Sequence, residues 1–456
     1  MARPLSLAAL ILPLLLAACA PAIAPRPEAS LVAPPAGWRT ALPESGAMDR
    51  QWWTRFADPA LTALVKQARA NNSDIAIAAA RVAEARAQER VARSLLLPTL
   101  SVGGPAAEQR SLNAFGVATT STVAQPAFQA AYEVDLFGRN AAQTEAARAN
   151  AAATAAARET VTLSVSAATA SGYIGLLALD ARRDLLRQTL ASRGEALRIA
   201  RDRAEAGYTS QLELRQAEAE YHATEQQVPA IEAAIARQEN ALSLLAGDTP
   251  HAIARGAGFD ALTAPAVPAV LPSELVRRRP DIAQAEYALA ATDANLRAAR
   301  AQFLPQVRLS ASAGAAISSA LSDPVGIWSI GGSILAPLFQ GGRLQGQFDA
   351  ATAQRDQAAF AYRKTVLTVF REVEDQLAVI DRLGAQEQAL LAQRSAVADA
   401  LRHATNRYRA GYSSYLEQID AQRALLSVDL ALIQLRADRL TAYVALYQAL
   451  GGGAAA

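Results

Sequence analysis

The sequence predicts a mostly α-helical protein with a small membrane β contribution, built as two copies of one plan. Three observations predict it: a long-range internal repeat, two very long helical patterns each closed by the same Gly-Tyr turn, and strand-length segments of alternating polarity ahead of those helices. Apolar residues make up 52% of the 456, yet aromatics only 5%. Much of the apolar content is alanine, which favours helix and lets helix backbones approach closely. The net charge of +2 argues against a nucleic-acid partner, which needs a concentrated basic surface.

The chain begins "MARPLSLAALILPLLLAACA". A short basic start, an apolar run of secretory length and then small residues read as an export signal, too short to span a membrane as a helix. No long uninterrupted apolar stretch follows residue 20, so no transmembrane helix is expected in the mature form. The run ends in Leu16-Ala17-Ala18-Cys19, and Cys19 is the only cysteine. This resembles a bacterial lipoprotein box, in which the cysteine becomes the acylated N-terminus and anchors the chain to lipid. Ala20 after it resembles the neutral residue of lipoproteins sorted to the outer membrane. A lone cysteine also excludes an intrachain disulfide.

Residues 20–45, rich in Pro and Ala, read as a tether. A helical segment then ends at Pro98, and its counterpart ends at Pro305; Asp74 and Asp281 stand in matching places. Arg139, Gly207 and Gly247 match Arg343, Gly411 and Gly451, and the register shifts only between the helix-ending proline and the arginine. Between those points the polarity alternates. Phe128, Ala130, Tyr132, Val134 and Leu136 oppose Gln129, Glu133 and Asp135, while Val307, Leu309, Ala311 and Ala313 oppose Arg308, Ser310 and Ser312. "GIWSIGGSILAPLF" is a Gly-interrupted strand, and Thr99–Leu112, holding Pro105, is the weakest of the four. Such segments suit membrane strands alternating between lipid and lumen.

Long helices are expected from about residue 140 to 206 and from about 344 to 410, each followed by "AGYTSQLE" or "AGYSSYLE" and a return helix. In the second return helix Leu416, Ile419, Arg423, Leu426, Leu430, Ile433, Ala437, Leu440, Val444 and Tyr447 follow the heptad seam of a coiled coil. Leu425, Val428, Leu432, Leu435 and Leu446 form another stripe, so this helix needs neighbours on two sides. Pro229 should kink or break the first return helix.

The chain therefore divides into a signal peptide (1–18), a lipidated tether (19–45), and a first copy of helical segment (46–98), β-hairpin (99–137) and long helical hairpin (138–250). A linker (251–278) leads to the second copy, with helix 279–305, β-hairpin 306–340 and helical hairpin 341–451, ahead of a tail (452–456). Four strands are too few to close a membrane barrel, and an open edge in lipid leaves backbone groups unsatisfied. Several chains must share one barrel, most simply as a cyclic homo-oligomer.

These residues together resemble the outer membrane factor, or TolC, family in its lipoprotein branch. The resemblance is carried by "WWTRFADPAL" at 52–61, "NNSDIAIAAARVAEA" at 71–85, "RRPDI" at 278–282, "LFGR" and "LFQGGR" before the long helices, and the paired Gly-Tyr turns at Gly207, Tyr208, Gly411 and Tyr412. It implies a homotrimer whose strands close a β-barrel through the outer membrane and whose helices close a tube across the periplasm. It also implies the exit duct of a tripartite efflux pump, joined by a periplasmic adaptor to an inner-membrane transporter of the resistance-nodulation-division type. No cofactor is implied.

No catalytic or metal-ligating constellation stands out, since His222, His251 and His403 are scattered. Glu417 and Asp420, three apart on one helix face, are the informative charges, and Glu213 is the first-copy counterpart of Glu417. In an oligomer they would form rings of carboxylate. The resemblance assigns Tyr408, Glu417 and Asp420 to a gate at the periplasmic tip. Ala204 stands where the second copy has Tyr408, and Ser413 stands where one branch of the family has arginine. The competing readings are a periplasm-spanning coiled-coil lipoprotein without a pore, the outer channel of a protein secretion system, and, more distantly, a secreted enzyme.

Overall fold

The computed structural model describes residues 20–40, 49–112, 114–319 and 321–453. Cys19 and the signal peptide lie outside them. Short helices α1 (Pro59–Asn71) and α2 (Ser73–Ser94) precede strands β1 (Thr99–Gly103), β2 (Ala106–Leu112), β3 (Ala118–Ala124) and β4 (Ala127–Val134). Then come α3 (Arg139–Glu205), α4 (Gln211–Glu225) and α5 (Gln227–Leu245). The second copy runs α6 (Pro272–Arg278), α7 (Pro280–Ala301), β5 (Gln306–Ser318), β6 (Val325–Leu335), α8 (Arg343–Arg409) and α9 (Tyr415–Ala449). Helices α3 and α8 each have 67 residues, roughly 100 Å at about 1.5 Å per residue.

The chain forms two compact units. The first, from the N-terminal segment up to Val32 with 80–156 and 283–364, holds the sheet. All pairings are antiparallel: β1 with β4, β4 with β5, β5 with β6, β2 with β3, and β3 with the end of β5. The first hairpin differs from the simple pair expected. Each of its strands bends at a proline, Gly104-Pro105 in one and Gln125-Pro126 in the other, so two strands become four segments. Proline removes a ladder donor there, and the Gln125 N–H bonds to the Pro105 carbonyl instead, at 2.9 Å.

The register sorts the sheet into two faces, because directly opposed residues share a side. Leu100, Ala130, Ala311 and Ile330 are aligned across four strands, as are Val102, Phe128, Ala313 and Trp328. The rows between them carry Ser101, Gln129, Ser312 and Ser329. The apolar row is exposed: Phe128 by 60%, Trp328 by 77% and Ile330 by 80%. Among the described residues β1, β2 and β6 each pair on one side only, so both edges of the sheet are open.

The expected tether is docked over its described residues. In the first unit the Arg355 guanidinium donates to the carbonyls of Ala24 (2.6 Å) and Pro25 (3.3 Å), Arg363 donates to those of Ala29 and Leu31, and Arg26 pairs with Asp293. A proline-rich stretch has few internal hydrogen bonds, so arginines from α8 satisfy its carbonyls.

The second unit, 33–79, 157–282 and the chain after Thr365, holds the main core. Trp52, Phe56, Leu61, Tyr173, Ile174, Leu242 and Tyr447 are fully buried there, with Trp52 stacked on Tyr447 at 5.5 Å. The "ADPAL" part of the tryptophan motif is a helix start: Asp58 caps α1 by accepting from Ala60 N (2.7 Å) and Leu61 N (3.0 Å), with Pro59 in the first turn. Asp58 also accepts from the Tyr173 hydroxyl (3.2 Å), which in turn accepts from Gly256 N (2.9 Å). This buried chain of bonds pins the linker to the core. Burial is the main cause pushing the Tyr173 phenol up to about 12.

One stretch of helix α3 is apolar enough to cross a membrane by length and composition alone, but most of it is buried, as suits a core helix. The first return helix breaks into α4 and α5 at Gln226, just ahead of Pro229, whose missing N–H and ring disrupt the turn before it. Its counterpart α9 runs unbroken for 35 residues. From Val428 onward both predicted stripes of α9 turn inward, with Val428 at 5%, Leu435 at 5% and Val444 at 1%, while Leu430 and Ile433 are half-buried. The tip differs: Leu416 is 47% exposed and Arg423 turns outward, while Tyr415 takes the buried place.

Candidate functional site

Both Gly-Tyr turns close their helices in one way. Gly207 and Gly411 have φ of 75° and 76°, the left-handed region that glycine enters without a Cβ penalty. Tyr208 N donates to Arg203 O (2.8 Å) and Gly207 N to Ala204 O (3.2 Å); Tyr412 N donates to Arg407 O (2.9 Å) and Gly411 N to Tyr408 O (3.0 Å). That double bond pattern is the Schellman cap, which stops a helix and reverses the chain. Ser210 and Ser414 then start the return helices, and Ser210 accepts from Glu213 N at 3.3 Å. Tyr208 and Tyr412 project at the turns, 86% and 80% exposed.

Behind the turns a small core joins the two hairpins. Leu197, Ala200, Leu214 and Ala217 of the first pack with Tyr415 and Ile419 of the second, and Tyr408 lies against them. The Tyr408 hydroxyl donates to Glu213 Oε2 at 3.4 Å, its ring meets Tyr415 at 5.2 Å, and the Arg203 guanidinium lies 5.8 Å from its centroid. Burial and then the Glu213 carboxylate push the Tyr408 phenol above its ordinary value. Glu213 also accepts from the Thr209 hydroxyl. Two of the predicted residues, Tyr408 and Glu213, thus meet across the hairpins.

Glu417 and Asp420 lie elsewhere on the tip. Glu417 faces Arg407 of its own hairpin at 3.7 Å, and Asp420 faces Arg423 at 3.5 Å. Both are half-exposed or more, so each is a screened, arginine-paired carboxylate rather than a bare one. Ser413 makes no ion pair; Arg407 and Arg423 supply the positive charges beside these carboxylates.

A further cluster was not expected from the sequence. Glu220 is buried and bonded by two arginines: Arg193 of its own hairpin at 3.0 Å and Arg423 of the other, whose Nε donates at 2.8 Å. Arg193 also donates to the Glu220 carbonyl (2.8 Å) and to the Thr224 hydroxyl. The signal was present in the repeat. Val397, Ala424 and Ala219 occupy the matching places in the other copies of Arg193, Glu220 and Arg423, and Gln211 the place of Tyr415. Charged or aromatic residues that break an internal symmetry mark where the halves do different work. The histidines stay apart, with His222 on Glu225 and His251 on the Thr249 carbonyl.

The chain matches the family model described as outer membrane efflux protein over residues 64–248 and 271–452. It is 35% identical over 457 residues to the pyoverdine export outer membrane protein OpmQ of Pseudomonas aeruginosa, covering 96% of this chain and 95% of that one. It is likewise 35% identical over 442 residues to the probable efflux pump outer membrane protein TtgC of Pseudomonas putida, covering 94% and 91%. Among solved structures it is similar to the outer-membrane channel OprN, with a TM-score of 0.86 and 28% identity over 94% of this chain and 98% of that one. The open state of the MtrE outer membrane channel of Neisseria gonorrhoeae gives 0.83 and 29% over 95% and 98%. With its two-faced sheet, duplicated helical hairpins and matched length, the chain belongs to the outer membrane efflux protein family.

Proposed function

We propose that the protein is the outer-membrane exit duct of a tripartite efflux pump, a passive channel rather than an enzyme. Three chains each contribute four strands to one barrel and two helical hairpins to one tube. A periplasmic adaptor and an inner-membrane transporter of the resistance-nodulation-division type deliver small toxic compounds to it. Cys19 carries acyl chains that hold the protein to the outer membrane, and the body projects into the periplasm.

The observation that carries this reading is the sheet. It has one apolar and one polar face and two open edges. In lipid those edges must pair with further strands, because unsatisfied backbone groups there cost several kcal/mol each. The names of its relatives, exporters of pyoverdine and components of efflux pumps, support small-molecule cargo.

The Gly207 and Gly411 turns form the rim of the gate. Tyr408 and Glu213 latch the second hairpin to the first, and Glu417 and Asp420 set the charge at the opening. Single-channel recording in planar bilayers tests both parts. The wild-type protein should conduct weakly, and Tyr408→Phe combined with Glu417→Ala and Asp420→Ala should conduct several-fold more. No conductance in any variant overturns the channel; equal conductance in all overturns the gate.

A further inference from the structure

Within the first unit the N-terminal segment is held by a clamp on its main chain. The Arg355 side chain is only 3% exposed. It donates to the Ala24 carbonyl at 2.6 Å and the Pro25 carbonyl at 3.3 Å, while its Nε donates to Asp356 at 2.9 Å. Arg363 takes the carbonyls of Ala29 and Leu31, and Ser30 between them is buried. All four acceptors on the segment are backbone groups, so the clamp fixes the course of the chain and not its side chains. Arg26, paired with Asp293 of α7, adds a side-chain contact.

The clamp belongs to the second copy alone. Ala151 stands in α3 at the place of Arg355, Glu159 at that of Arg363, and Arg86 in α2 at that of Asp293. The first-copy face would offer the carbonyls a carboxylate and would set a second cation against Arg26. One face of the duplicated plan accepts the segment and the other repels it.

Direction and length add to this. Leu31 and Ala29 meet Arg363, whereas Pro25 and Ala24 meet Arg355, so the segment followed backwards runs towards the start of α8. Arg355 lies twelve residues after Arg343, a rise of about 18 Å at about 1.5 Å per residue. Five residues lead from Ala24 back to Cys19, and fully extended they span about 17 Å. The start of α8 adjoins the sheet, because Arg343 lines one cavity with Gln306 and Leu335. At that end lies the last apolar row, Val134, Val307 and Ile334. Leu338 and Phe339, just ahead of α8, are 85% and 90% exposed, an apolar surface that suits acyl chains.

We infer that α8 holds residues 24–31 as a spacer of fixed length, and that the group it brings to the rim of the sheet is the acylated Cys19. This rests on the reading of Cys19 as a lipid anchor. The acyl chains then enter the membrane at the level of the last apolar row, with no slack in the chain behind them. Along the segment length matters and side chains do not.

Spin labelling of the full-length acylated protein in phospholipid vesicles tests this. Ala22→Cys takes the label, since acylated Cys19 has no free thiol. The label should move slowly, and its accessibility to oxygen and to a water-soluble nickel chelate should place it at the headgroup layer. Arg355→Ala with Arg363→Glu, the residue types that the first copy carries in these places, should make its motion and its nickel accessibility several-fold greater. Ala151 is buried in α3, so the helical plan accepts alanine there, and thermal unfolding of the body should be unchanged. Ile23→Ser with Ala29→Ser, which spares the backbone, should alter neither reading. Equal mobility in wild type and the arginine variant overturns the clamp, and a slow label in bulk water overturns the placement at the rim. Mass spectrometry of the N-terminal peptide reads acylation separately: its absence overturns the anchor at Cys19, while the label's motion still decides the clamp.

Discussion

Glu220 receives two guanidiniums of very different exposure: the Arg193 side chain is 7% exposed and the Arg423 side chain 56%. The second hairpin can therefore release Arg423 to water while Arg193 keeps the buried carboxylate neutralised. Glu220→Gln removes the shared charge and strands Arg193, whose burial already lowers its pKa. It should cost about 3–5 kcal/mol, whereas Arg423→Gln should cost about 1 kcal/mol or less. Denaturant unfolding of the two variants checks the difference. Tyr173 makes a second prediction at this scale. Its pKa is raised from 10.0 to about 12, so its share of stability is full below about pH 10 and is lost as pH rises from there to about 12. That share is about 2–3 kcal/mol. Tyr173→Phe should be less stable at neutral pH, having lost the bonds to Asp58 and Gly256, but should show a shallower alkaline decline in thermal unfolding.

Among the elements, the two helical hairpins share a cap and differ in their return helices. The break at Gln226 traces to Pro229, and unbroken α9 shows what the same plan does without it. Pro229→Ala should join α4 to α5. One recovered hydrogen bond, about 1 kcal/mol, is set against the lost rigidity of the unfolded chain, about 0.4–1 kcal/mol. Helical content by circular dichroism should rise slightly while the unfolding midpoint moves little; a loss of helix would contradict this account. The small residues that made long helices predictable also set their spacing. At Gly172 a Cβ would stand 2.9 Å from Leu242 Cδ2, so an alanine there would force the ends of the Leu242 and Gln238 side chains to shift.

For the molecule as a whole, the duplicated sheet decides the environment. Its apolar rows belong to one face on all four strands, which a soluble protein would cover. If that face meets lipid, Ile330→Arg should cost about 2–4 kcal/mol near the bilayer centre, and Ser310→Arg on the polar face little. Folding into lipid vesicles followed by heat-modified gel mobility distinguishes them. Equal effects of both would place no lipid on the apolar face.

The sequence by itself determined the elements, the duplication and the family. Alanine-rich heptads, the alternation around Phe128 and Val307, and the glycine at each turn all act locally, through helix propensity, pleat and φ. The pair at the turns was half legible: Tyr408 and Glu213 could be named, but their bond joins residues 195 apart. Only the tertiary structure decided that Glu417 and Asp420 sit beside Arg407 and Arg423, and that Glu220 is buried between arginines of two hairpins. It also decided that the proline-rich N-terminal segment is docked on α8 over its described residues. Pairing among charges and burial of polar atoms depend on which helices become neighbours, and no short-range pattern carries that information.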